Sequence, residues 1–150
     1  MARFRYRMQN ILTVKEKLET QAKNEYAAAN VALMEEEEKL EQLKRQEVFL
    51  EDEARRLVQQ ESLSIRDIED NKLSRQLQKE AIVEQKKAIR RAEQVLEEKR
   101  LAMVELMQDV KTHEILKERA FQEFLQEEKA EESKQIDQLT SYTYGQRKQN

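Results

Sequence analysis

No proline occurs in these 150 residues, and the one glycine, Gly145, lies near the end. Turns are built mainly from those two residue types, so this chain has few places to reverse direction. Cysteine and tryptophan are also missing, which excludes disulfides, thiolate zinc sites and thiol nucleophiles. Aromatic residues make up 5%, and the mean hydropathy of -0.99 cannot fill a thick core, so burial has to follow a narrow seam. No apolar run approaches the roughly 20 residues of a membrane span. The opening MARFRYRMQN has no apolar stretch, so no secretory signal is expected and the chain reads as cytoplasmic.

Charge of one sign is missing too. Lys and Arg number 28 against 31 Asp and Glu, a formal net charge of -3. Nucleic acid needs a strongly basic face and aromatic stacking platforms, so it is not an expected partner. The single histidine, His113, has Val110 three residues before it, which breaks the Glu-x-x-His pattern of di-iron bundles. It reads as a half-buried seam residue. No glycine-rich loop is present to cradle a phosphate. No catalytic, cofactor or metal site is expected, and the chain does not read as an enzyme.

What remains is 39% charged residues in a background of strong helix formers, the mixture of long solvated helices with one apolar stripe. A heptad seam is legible in the second half. Ile82, Ile89, Leu96, Met103, Val110, Lys117 and Phe124 hold one position, and Gln85, Ala92, Lys99, Leu106, His113 and Ala120 the other. The first half carries a stripe at Ile11, Val14, Leu18, Ala22, Tyr26, Ala29, Leu33, Leu40, Leu43, Leu50, Ala54 and Leu57. Steps of three, four and seven suit a coiled coil; three successive steps of four between Val14 and Tyr26 imply a stutter.

The run ESLSIRDIEDNKLS, residues 61–74, is rich in side chains that compete with helical backbone hydrogen bonds. Asn71 could supply the left-handed conformation usually left to glycine. The expected fold is therefore all-α: a single domain forming a long two-helix antiparallel coiled-coil hairpin. Arm 1 spans about 3–62, the turn about 63–72 and arm 2 about 73–142. Folding back near residue 67 or 68 makes facing residue numbers sum to about 135, which sets Ile11 on Phe124, Ala29 on Leu106, Leu33 on Met103 and Leu40 on Leu96, with poorer matches of Leu18 to Lys117 and Leu50 to Gln85. Each arm is then roughly 90 Å long. Both termini share one end, and Ile136, Leu139, Tyr142 and Tyr144 outrun the partner arm. A monomer is expected.

Three surface features stand out. Glu35 to Glu38 cannot converge on an ion, because one helical turn spreads them around the axis, so they read as a solvated face. Arg3, Arg5 and Arg7 would face Glu127, Glu128, Glu131 and Glu132 across the hairpin, or offer their forks to carboxylates on a partner. Leu73 and Leu77, one helical step apart beside the turn, would form either an exposed binding spot or a staple closing it.

The opening Phe4-Arg5-Tyr6-Arg7-Met8-Gln9-Asn10-Ile11-Leu12, continuing Lys15-Glu16-Lys17-Leu18-Glu19, resembles the start of the FliJ family of flagellar type III export proteins. Lys134-Gln135-Ile136-Asp137-Gln138-Leu139 is similar to the family's terminal segment, with Gln138 where an acid is frequent and, at the other end, Met8 where leucine is common. The resemblance implies a stalk like the coiled coil of the rotary ATPase γ subunit. Such a stalk binds a hexameric flagellar export ATPase at the paired-terminus end, promotes its assembly and activity, reaches an export-gate membrane protein, and helps recycle export chaperones. Carried onto this chain, Phe4, Arg5, Arg7, Ile11, Ile136 and Asp137 would meet the ATPase, and Leu73 and Leu77 the gate. It would work peripherally at the inner face of the membrane at the flagellar base. The alternative from the residues alone is a generic coiled-coil scaffold or chaperone that binds partner helices.

Overall fold

The computed structural model describes residues 2–149. It consists of two α-helices, α1 (Gln9–Gln59) and α2 (Ile65–Gln149), with no strand among the described residues. The fold is the expected all-α, two-helix hairpin. The chain packs as two compact units, one of Met1–Thr20 with Glu105–Asn150 and one of Gln21–Val104.

The helices separate over residues 60–64 only, a tighter and earlier break than the turn expected at about 63–72. Ser64 sets the start of α2. Its hydroxyl accepts the Asp67 amide at 3.4 Å, and its carbonyl accepts the Ile68 amide at 3.1 Å, so it acts as an N-cap. Asp67 in the first turn adds a charge favoured by the helix dipole. Asn71, expected in a left-handed turn conformation, is instead inside α2, and no non-glycine residue among those described has a positive φ. Its amide finds partners across the hairpin, so it does not compete with its own helix.

In the unit of Gln21–Val104 the α1 seam runs through Ala22, Tyr26, Ala29, Leu33, Glu36, Leu40, Leu43, Glu47, Leu50, Ala54 and Leu57, all buried or half-buried, an unbroken alternation of threes and fours, with Glu53 half-buried beside it. The α2 seam has the expected frame and extends back through Gln78, Arg75 and Asn71 to Ile68. Near the turn its interior is polar. Asn71, Gln78 and Gln85, one heptad apart, each donate a side-chain amide to a backbone carbonyl of α1: Leu50 at 3.0 Å, Leu43 at 2.8 Å and Glu36 at 2.9 Å. A helical carbonyl has a second lone pair, so these bonds add to the helix's own. Asn71 is 3% exposed, and its carbonyl oxygen accepts Arg75 Nε at 2.8 Å while its amide also reaches Glu53 at 3.0 Å.

These contacts correct the pairing. Gln85 lies on Glu36 and not on Leu50, whose carbonyl is taken by Asn71. The break centred on residue 62 moves the fold point back by five or six residues, and the partners move by eleven positions at the Lys99–Glu25 ion pair and by fourteen where the Gln85 side chain reaches Glu36. The expected facings of Ala29 with Leu106, Leu33 with Met103 and Leu40 with Leu96 shift accordingly.

The unit of Met1–Thr20 with Glu105–Asn150 differs from expectation at its N-terminus. Residues 2–6 are not helical and α1 begins only at Gln9. Along this non-helical segment and the turn that follows it, Phe4, Tyr6 and Met8 are buried or half-buried and Arg3, Arg5 and Arg7 are exposed, an alternation with period two. Leu12, 2% exposed, forms the core with Tyr6 and Val110, and Phe4, Met8 and Ala120 pack against it. The α1 seam here runs through Leu12, Lys15 and Glu19, whereas Ile11, Val14 and Leu18 are exposed. There is thus no stutter. The frame was hidden because a lysine and a glutamate hold seam positions; Lys15 keeps its stem along the seam and its ammonium on Asp109 at 3.0 Å.

Candidate partner-binding surfaces

The N-terminal segment is held by aromatic contacts. The Phe4 ring meets Phe121 edge-on at 5.2 Å and Phe124 at 5.5 Å, so Phe124 packs on Phe4 and not on Ile11. The Tyr6 hydroxyl and His113 Nδ1 lie 3.1 Å apart, which makes His113 the half-buried seam residue expected. Lys117 donates to the Gln9 side chain at 2.7 Å. Offset and edge-to-face ring pairs of this kind contribute about 0.5–1.5 kcal/mol beyond the area they bury. The result is a fixed edge carrying three guanidinium groups.

Those arginines are exposed, and none forms an ion pair among the described residues. The expected pairing with Glu127, Glu128, Glu131 and Glu132 does not form, because Phe4 reaches only to Phe121 and Phe124 and the acidic run lies beyond it. Ala2 does line a shallow groove with Phe124, Leu125, Glu131 and Gln135. The N-terminus therefore lies beside the segment that leads to Ile136 and Asp137. Of the residues expected at the ATPase end, Arg5, Arg7, Ile11, Ile136 and Asp137 are exposed within this one unit; Ile11 shows 49% of its surface. Phe4 is half-buried, and its ring is engaged internally.

Leu73 and Leu77 belong to the other unit. Both are exposed, two and three turns into α2, and lie off the seam marked by Asn71, Arg75 and Gln78. Phe49, which the sequence did not single out, is also exposed in this unit, with the Arg56 guanidinium carbon 5.9 Å from its ring centroid. Its place outside the stripe of Leu43, Leu50, Ala54 and Leu57 was the signal the sequence offered.

Electrostatics within the hairpin are local. Glu36, expected on a solvated face, sits half-buried on the seam and accepts Gln85 Nε2 at 2.6 Å and Lys39 at 3.2 Å. The Gln85 hydrogen bond first, then the Lys39 one, holds its carboxyl below the usual range. Lys99 reaches Glu25 at 3.3 Å across the hairpin. Asp109 pairs with Lys15 across the hairpin rather than with His113 on its own helix. No group of three or more metal-ligating side chains occurs among the described residues, and no helix there is long and apolar enough to cross a membrane.

Two helices packed on a heptad seam, with an exposed arginine edge at the N-terminal segment, define a two-helix coiled-coil protein. The family model described as flagellar FliJ protein matches residues 4–149, and the chain belongs to that family. Membership makes it a coiled-coil protein of type III export, within flagellar biogenesis. Among solved structures it is similar to CT670 of Chlamydia trachomatis, a candidate YscO homolog. That likeness has 19% identity, 99% of each chain covered and a TM-score of 0.81, which is a likeness of fold. No curated protein matches the chain.

Proposed function

We propose that this chain is the γ-like stalk of the flagellar type III export apparatus, without chemistry of its own. It binds a hexameric export ATPase through the unit that holds both chain ends, with Arg5 and Arg7 steering and Ile11, Ile136 and Asp137 in contact. Phe4 serves that end by holding the arginine edge in place. Binding promotes assembly and activity of the ring. Leu73 and Leu77, in the other unit, meet the export-gate membrane protein, which draws the chain to the inner face of the membrane at the flagellar base. Recycling of export chaperones belongs to the same reading.

The observation that carries this is the arginine edge. Three guanidinium groups stand on a segment whose alternate side chains are anchored in the core, and they have no ion-pair partner among the described residues. Such an edge is preorganised for carboxylates lining a partner opening. Charge complementarity of this kind raises association rates more than it deepens affinity. The test is ATP hydrolysis by the partner ring over a salt series, with the wild-type chain and with Arg3, Arg5 and Arg7 all replaced by serine. Stimulation should fall and lose its salt dependence in the variant. Superimposable curves would remove the arginines from the mechanism.

A further inference from the structure

Nothing in the sequence stops α1 from starting earlier than it does. Residues 3–8 read Arg, Phe, Arg, Tyr, Arg and Met, none of them a helix breaker, yet α1 begins at Gln9. The Gln9 amide donates to the Tyr6 carbonyl at 3.1 Å, a three-residue step that closes a turn in place of the helical bond to Arg5. Carried back by steps of four and three, the seam of Lys15 and Leu12 would run through Met8 and Arg5. A helical start would therefore turn Arg5 into the seam, with Tyr6 about 200° from Met8 and each arginine about 200° from the next around the axis. The arginine edge exists only while the segment stays out of the helix.

Three contributions oppose the helical start. The Phe4 ring is packed on Phe121 and Phe124. Three cations in a first turn meet the positive end of the helix dipole. The third is the contact of Tyr6 with His113, hydroxyl to Nδ1 at 3.1 Å and rings edge-on at 6.3 Å. Ring burial is non-directional and the dipole acts on the charges alone, so only the hydrogen bond specifies which side of the segment faces α2. Of the inward side chains Phe4, Tyr6 and Met8, only Tyr6 carries a hydroxyl. It is 8% exposed, and hydroxyl and Nδ1 satisfy each other in either imidazole tautomer.

We propose that Tyr6 and His113 are a positioning pair, whose hydrogen bond latches residues 3–8 in the non-helical form and so keeps the three arginines on one edge. The use of that edge rests on the partner-binding role proposed above. The latch itself is a property of the chain alone and is tested without a partner.

Nuclear magnetic resonance of the full chain along a trifluoroethanol series, which favours helix, tests it, with the Cα shifts of residues 3–8 reporting the helical fraction. His113→Leu changes no residue of the segment and leaves its helix propensity untouched. It should shift the ratio of helical to latched forms about three- to tenfold, the factor that one neutral hydrogen bond corresponds to, and reach half conversion at lower alcohol. Tyr6→Phe should do the same, and the two together should add nothing further. His113→Asn, whose amide offers both a donor and an acceptor, should follow the wild type. A role in packing alone would favour leucine over asparagine at this position, the reverse of that order. Superimposable series for the wild type and His113→Leu overturn the proposal, as does a segment that loses its Phe4 contacts without gaining helix. Stimulation of ATP hydrolysis by the partner ring should fall with His113→Leu and return with His113→Asn. A segment that turns helical while stimulation is unchanged upholds the latch and removes the arginines from ring binding.

Discussion

Asn71→Ala is the most direct probe of the polar seam. The side chain is 3% exposed and makes three hydrogen bonds, to the Leu50 carbonyl, to Glu53 and from Arg75. A neutral bond contributes about 0.5–1.5 kcal/mol net, and one to a charged group about 1.5–3. Glu53 and Arg75 are only half-buried and regain water, and the Leu50 carbonyl keeps its helical partner. Most of the charged contribution is therefore recovered from solvent. Alanine adds a few tenths of a kcal/mol in helix propensity. The net loss should be about 1.5–2.5 kcal/mol, a fall of about 4–8 °C in Tm for a chain of this size. Urea unfolding followed by far-UV circular dichroism measures it. The companion is replacement of Asn71, Gln78 and Gln85 by leucine. It should raise the melting temperature, because three buried leucines outweigh three amide bonds, and should loosen the register that the amides select. Zero-length carbodiimide coupling reads register without further substitution, since Lys99 and Glu25 lie in direct contact. The coupled pair should dominate in the wild type and be diluted by neighbouring pairs in the leucine variant. An alanine loss below about 0.5 kcal/mol, together with an unchanged coupling pattern, would refute the idea that these amides choose the register.

Leu73→Ala with Leu77→Ala should lower stability less than Leu40→Ala in the seam, where about 2–3 kcal/mol is expected for a half-buried leucine; a double variant melting well below the seam variant would show that these leucines hold the fold. Phe4→Ala removes both ring contacts and should free the arginine edge, read as faster amide exchange over residues 4–8 with the Asn71 region unchanged. Gly145→Ala meets no atom within 4 Å and lies inside α2, so it should increase helicity at the end of α2, by about 0.5–1 kcal/mol of local stability; reduced ellipticity would count against a helix through that position. Glu36 has a depressed carboxyl pKa in the fold. Its contribution is therefore present above the ordinary glutamate range and lost as pH falls through the lower folded value. Gln85→Leu should move its titration, followed by carboxyl NMR, back toward the ordinary range.

Composition and local propensity alone determined much of this protein. Absence of proline and a background of helix formers specify two long helices, and Gly145 without tertiary contacts does not stop the second. The α2 frame from Ile82 to Phe124 was legible because apolar side chains hold most of its positions. The opening and closing motifs carried the family.

Tertiary structure decided the rest. An apolar stripe that repeats every seven residues fits almost equally well after a slide along the partner. The register therefore depends on where Ser64 caps α2 and on which carbonyls Asn71, Gln78 and Gln85 reach. The α1 frame near its start was masked because Lys15 and Glu19 occupy seam positions while Ile11, Val14 and Leu18 face water. Polarity by itself cannot reveal a lysine whose charge is met by an aspartate on the other helix. The alternation Phe4, Tyr6, Met8 against Arg3, Arg5, Arg7 was present in the sequence as a period of two. A short non-helical piece at the end of a helix acquires meaning only when Phe121, Phe124 and His113 are brought beneath it, and that happens through contacts more than a hundred residues apart along the chain.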